Sequence, residues 1–299
     1  MVEWLAGNRI RGTSTERTTV CGFNPVSAIS GGWKELGRTT LGGTSATIEV
    51  SCLDDKRYYM ILGNPTPSGS VSDYFLTSNG DTGSNYVWRK EQNGATDSSE
   101  QNNPNGVSWG KSHLDNPSFL VGVLANKSDK EKLMVLNSVQ GSTSGAGTDP
   151  WKTVGIGKHA QTSNPINRLD IKTLCGSWAS GSELVVLGWD PDDTHATNFW
   201  EELYSDSQTG QSVDNIDTGT FTNKKYLWVQ LWTKGTGNTT VKSTFNNSTD
   251  STYSYRYSNN GCTDGTATSQ ANFVLHNTKA NGTKFINMFI VNDGTNEII

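Results

Sequence analysis

The sequence predicts an all-β protein made of two tandem antiparallel β-sandwiches, jelly-roll-like and related by an internal repeat. Three observations carry this. Short apolar runs are separated by Gly, Asn, Asp, Ser and Thr, as in sandwiches and barrels. Within many runs, apolar and polar residues alternate with a period of two. One strand-and-turn pattern also occurs twice, as NYVWRKEQNGATD at 85–97 and TYSYRYSNNGCTD at 252–264.

The composition agrees with a folded β protein. Only 33 % of the 299 residues are hydrophobic and 18 % are charged, yet the chain carries ten Trp, nine Tyr and nine Phe. Disordered chains lack such aromatics. The net charge is −5 and no long basic run exists, so nucleic acid is not an expected partner. No apolar run approaches the length of a membrane span, and no membrane insertion is expected. The start, MVEWLAGNRIRG, lacks an apolar signal region, so synthesis in a cytoplasm is expected. Cys21, Cys52, Cys175 and Cys262 form no C-x-x-C motif and read as free, mostly buried thiols.

The first segment, residues 1–28, lies outside both repeat copies. Trp4, Leu5 and Ile10 give it apolar anchors, and Arg9, Arg11 and Arg17 give it charge. It suits an attachment arm docking on another protein; packing along its own domain as an extra strand is the other reading.

The first copy, residues 29–194, contains GGWKEL, KRYYMILG and FLVGVLAN, which recur as FWEEL, KKYLWVQL and FINMFIVN in the second copy, residues 195–299. The spacing is about 167 residues throughout, and such periodicity decides architecture before finer detail. The first copy has extra strands between 134 and 190 without an equivalent in the second. The shorter copy should therefore present open sheet edges, to which a strand from elsewhere can add. In each copy an Asn-Gly pair, Asn93-Gly94 and Asn260-Gly261, follows the aromatic strand. Both central residues of a type I′ hairpin turn need positive φ, which this pair supplies. ATNFWEELYSD around Trp200 fits a short helix, although its partner GGWKELGRT reads as a strand.

The aromatic strands are the candidate surface. In KKYLWVQLW, Tyr226, Trp228 and Trp232 share one face; in the twin motifs the candidates are Tyr86 and Trp88, and Tyr253 and Tyr255. Such residues fit an internal core, a subunit interface or a platform stacking sugar rings.

Catalytic motifs are weak. GSTSG has Thr where a hydrolase elbow has Ser, and GIGKH lacks the Ser or Thr of a phosphate loop. His113, His159, His195 and His276 show no metal-ligand spacing and read as ordinary surface residues. Glu35 and Glu202, and Asp97 and Asp264, occupy matching repeat positions, where carboxylates more often serve turns and caps than catalysis. The sequence therefore reads as non-enzymatic. No cofactor is expected. Asp190, Asp192 and Asp193 in GWDPDDTHA are the one calcium candidate, but Pro191 and the missing Gly-and-Glu framework exclude an EF-hand, and a solvated turn explains them as well.

The stretches WLAGNRIRGTSTER, GGWKEL, KRYYMIL, DTGSNY, SGSELVVLGWDPDDTHATNFWEEL and KKYLWVQ resemble repeat-bearing virion structural proteins of marine bacteriophages, over nearly the whole chain. The resemblance implies a capsid-associated or tail-fibre-type β-sandwich protein. It also implies self-association, contacts with other virion proteins and release by host lysis. It supplies no catalytic or receptor-binding residue. The expected function is thus a structural part of a phage surface or appendage. The alternative is an adhesin module that binds a host glycan or receptor.

Overall fold

The computed structural model describes residues 32–69, 73–111, 116–141, 145–191, 193, 197–208, 213–234, 239–258, 263–278 and 282–294. The attachment-arm residues Trp4, Leu5, Arg9, Ile10, Arg11 and Arg17 lie outside them, as do Cys21, Cys262, Asp192, His113, His195 and the Asn260-Gly261 turn. The fold is all-β: the described residues contain antiparallel strands and no helix. The stretch 197–208, where a short helix fitted the sequence, is irregular.

The larger sheet has eight strands. In spatial order they are β1 (Lys34–Thr40), β14 (Glu183–Trp189), β3 (Tyr58–Asn64), β9 (Ser118–Ala125), β10 (Lys132–Gln140), β11 (Trp151–His159), β6 (Tyr86–Gln92) and β7 (Ser98–Asn103). The smaller sheet runs β2 (Thr47–Val50), β12 (Leu169–Thr173), β5 (Asp73–Ser78) and β8 (Val107–Lys111). A separate two-residue pairing joins β4 (Pro67–Ser68) to β13 (Ser177–Trp178). The chain crosses between the sheets repeatedly, so β1, β3 and β9 lie in the larger sheet while β2, β5 and β8 lie in the smaller.

The main core lies between these sheets. Trp109, Trp178, Tyr59, Tyr74, Ile48, Leu120 and Ile171 are fully buried in it. Each such side chain contributes about 1.5–3 kcal/mol relative to leaving it in water. The runs YYMILGN in β3 and ELVVLGW in β14 are apolar without alternation because both of their faces are covered. Met60, Leu62, Val185 and Leu187 form, with Phe119, Tyr226 and Val291, a second core on the outer face of the larger sheet.

The residues that cover that outer face form a nested ribbon. Strand β15 (Tyr226–Lys234) pairs with β20 (Thr283–Val291), β16 (Thr239–Ser243) with β19 (Phe273–Thr278), and β17 (Tyr253–Tyr257) with β18 (Gly265–Gln270). Each ladder has two strands. The period-two alternation read from sequence holds at the start of β17, where Tyr253 and Tyr255 are buried and Ser254 between them is less so, whereas Tyr257, on the same face, is exposed.

At the other copy of the motif, Asn93 and Gly94 have φ of 54° and 75°, and the Ala95 amide donates to the Gln92 carbonyl at 3.0 Å. This is the expected hairpin turn. Cys52 and Cys175 are free and exposed, not buried as expected, because each follows the end of a strand.

Candidate functional site

The ribbon is fastened to the sandwich at two places. At its base, the Tyr226 ring stacks on Phe119 with centroids 6.1 Å apart, and its hydroxyl donates to Glu183 at 2.8 Å. The buried Glu183 carboxylate also meets Arg38 at 2.9 Å and Lys225 at 3.2 Å, and accepts from the Thr40 hydroxyl. Burial pushes its pKa up, but Tyr226, Lys225, Arg38 and Thr40 together hold it below the usual carboxylate range. Desolvation and the Glu183 charge push the Tyr226 phenol far above its ordinary value, so it remains a donor. Sequence reasoning missed Glu183; its signal was a lone carboxylate heading a doubly buried strand.

At the tip, the two copies of the repeated motif touch. The buried Asp264 carboxylate lies 3.0 Å from the Lys152 ammonium, which is also 3.3 Å from Glu91. A Cβ on Gly94 would approach the Asp264 amide nitrogen to 2.8 Å. Arg256 donates to the Pro150 carbonyl at 2.9 Å and pairs with Asp149. Matching positions therefore differ in role: Asp97 is exposed beside Arg89 at 3.4 Å, whereas Asp264 is buried.

The aromatic candidates separate by exposure. Tyr86, Tyr226, Tyr253 and Tyr255 are buried, which takes their rings out of reach of a sugar. Trp228 is stacked on Phe289 at 5.2 Å and meets Trp200 edge-on at 5.5 Å. Trp232 is 65 % exposed and lies opposite Phe285, 64 % exposed, on the neighbouring strand.

Trp88 lines a groove of about 430 Å³ where β5 and β8 of the smaller sheet meet β6 and β7 of the larger, with Asp73, Lys90, Glu100, Asn105 and Leu174 among its other walls. Trp88 and Glu100 are cross-strand partners on β6 and β7. The Lys90 ammonium is 3.2 Å from Asp73, donates to the Ser108 hydroxyl at 2.7 Å, and sits 5.2 Å from the centre of the Trp88 ring. An aromatic wall beside carboxylate and amide groups can hold a polyhydroxylated ligand through stacking and paired hydrogen bonds.

One arrangement has the order of a hydrolytic triad. His159 Nδ1 is 2.8 Å from Ser78 Oγ, and its Nε2 is 2.7 Å from Asp81 Oδ2. Ser78 and His159 are each only 1 % exposed, so a substrate has no path to the hydroxyl. The imidazole also stacks on Tyr86 with centroids 4.5 Å apart, and the Ser78 amide donates to the Tyr86 oxygen at 3.1 Å. The group ties the turn after β5 to the end of β11, joining the two sheets. This overturns the reading of His159 as a surface residue: β11 places it on the inward face with Thr153, Gly155 and Gly157. Nothing is described of the His276 side chain.

Two of the calcium candidates, Asp190 and Asp193, are engaged by protein groups. Asp190 accepts from the Arg57 amide at 3.1 Å, and its own amide donates to Asp193 at 2.8 Å. Asp193 also pairs with Lys56. Among the described residues no group of three or more His, Cys, Asp or Glu is placed to hold a metal ion, and no helix is long and apolar enough to cross a membrane.

The chain matches no family model, no curated protein and no solved structure.

Proposed function

We propose that this chain is a non-enzymatic structural protein of a virus particle, part of its surface or of an appendage, working through assembly with other subunits. One observation carries the reading. We read the order β1-β14-β3-β9 in one sheet against β2-β12-β5-β8 in the other as the interleaved order of a jelly roll, with β6–β7 and β10–β11 inserted to widen one sheet. We read residues 226–291 as the shortened second repeat copy, folded back as a clamp on the first. Jelly rolls recur in capsid proteins and in lectins, so this step is an analogy at the level of fold. The resemblance to marine phage proteins points to the first of these. Antibodies raised against the purified chain test it: they should decorate intact particles in a density-fractionated marine viral concentrate. Labelling confined to the cellular fraction would overturn it.

The second reading, a glycan-binding module, is favoured by the groove at Trp88. It predicts that a glycan array shows binding lost on Glu100→Gln, an exposed position whose change leaves the fold intact. An array with no bound glycan removes this reading.

A further inference from the structure

We propose that the outer face of β9, β10 and β11 is an interface that receives the same face of a second copy of this chain. The inference deepens the assembly reading and names the surface that performs it.

The evidence begins with an inverted strand. In TVGIGKH of β11 the apolar residues Val154 and Ile156 point outward, while Thr153, Gly155, Gly157 and His159 point into the core. The glycines are needed inside: a Cβ on Gly157 would come within 2.4 Å of Val107. Outside, nothing in the sandwich requires aliphatic side chains. In β10, Leu133 and Val135 also point outward. The cross-strand register sets Val123, Val135 and Ile156 in one row, with Leu133 and Val154 in the rows on either side. They are 40, 53, 55, 57 and 43 % exposed in that order. Scattered exposed aliphatics need no explanation, but a contiguous patch across three paired strands does.

The chain's own ribbon leaves this patch open. It covers the row nearest one end of the strands, where Phe119 and Val139 join the second core and Lys152 holds Asp264. Val121, in the row of Val154, still packs against that core, whereas Val123, Val135 and Ile156, and Leu133 beyond them, are not among its described members.

The occupant follows from shape and charge. A sheet face of aliphatic side chains packs well on another such face, at a spacing of about 10 Å. The border of the patch carries two closed ion pairs, Lys158 with Glu131 at 3.0 Å and Arg89 with Asp97 at 3.4 Å. Cations and anions are thus balanced locally although the chain as a whole is at −5. Such a border carries no net charge to repel an identical one across a two-fold axis, where residue i meets j and j meets i. It offers no net positive field to an anionic membrane or a nucleic acid.

The test is the absolute mass of the full chain by size-exclusion chromatography with light scattering, alongside its melting temperature. Wild type should run as an even multiple of the 32.4 kDa chain. Val135→Lys and, separately, Ile156→Lys should halve that mass or return the monomer at the same concentration, with the monomer's circular dichroism unchanged. Trp232→Ala, outside the patch, should leave the mass as it is. A wild type that stays monomeric up to high concentration overturns the proposal. If that monomer also melts earlier with Val135→Lys, the patch is covered by the chain's own residues; if it does not, the patch serves another protein. An oligomer untouched by both lysine variants equally overturns it. None of these results bears on particle labelling, because a subunit can be carried on a particle through other surfaces.

Discussion

The Tyr226 hydroxyl donates to the Glu183 carboxylate across 2.8 Å, and this bond seats the base of the ribbon on the larger sheet. Tyr226→Phe removes the donor while Arg38 and Lys225 still neutralise the charge. A buried hydrogen bond to a charged acceptor is worth about 1.5–3 kcal/mol. A fall in melting temperature of roughly 2–6 °C in scanning calorimetry is expected for a chain of this size. No fall would mean that the ring packing on Phe119 alone holds the base.

The tip answers to a different change. Gly94 has φ of 75°, and a Cβ there would press on the Asp264 backbone at 2.8 Å. Gly94→Ala should cost about 1–3 kcal/mol through both effects. Faster amide exchange at 253–257 and 265–270, with β3 and β14 unchanged, is the signature to look for. Uniform destabilisation would contradict the placing of this contact.

Lys152→Ala tests the same end by charge. It strands a buried carboxylate, whose second oxygen already has no hydrogen-bond partner. Breaking a buried pair from one side is costlier than removing both partners. Lys152→Ala should therefore be less stable than Lys152→Ala with Asp264→Ala in denaturant titrations.

Stability should also fall on mild acidification. Desolvation, its largest cause, lowers the His159 pKa below 6.5, and nearby Lys132 adds to this, while Asp81 opposes it. The unfolded chain therefore takes up the proton first. The stabilisation is complete above about 6.5 and is lost as pH drops toward the folded value. Asp81 adds a second window. Desolvation raises its pKa, but His159, Asn85 and the Gly83 amide outweigh this and leave it below 3.8, so its contribution is lost only at lower pH. Melting temperatures measured from pH 7 to 5 should decline in the wild type and decline less in His159→Asn.

Much of the fold was legible because it is local. Alternation in Tyr226–Lys234 and Tyr253–Tyr257 marked strands, and Asn93-Gly94 marked its turn. Alternation shows which residues share a face but does not name the partner strand, so the pairing of β15 with β20 was not readable. His159 was misread because its burial comes from Ser78, Asp81 and Tyr86, more than seventy positions away in sequence. The groove at Trp88 escaped notice for the same reason: Asp73, Lys90 and Leu174 meet only when the two sheets do.

The ribbon has a mechanical consequence. Tyr226 and Val291 are the first pair of its ladder, and the Asn292 amide donates to the Lys225 carbonyl beside them. A load applied between residues 225 and 292 would open that ladder one pair at a time, as a zipper, instead of shearing all of it together. The clasp at Glu183, which holds both Tyr226 and Lys225, is placed to meet such a load first, while the clasp at Lys152, at the far end, is reached only after the ladder has opened.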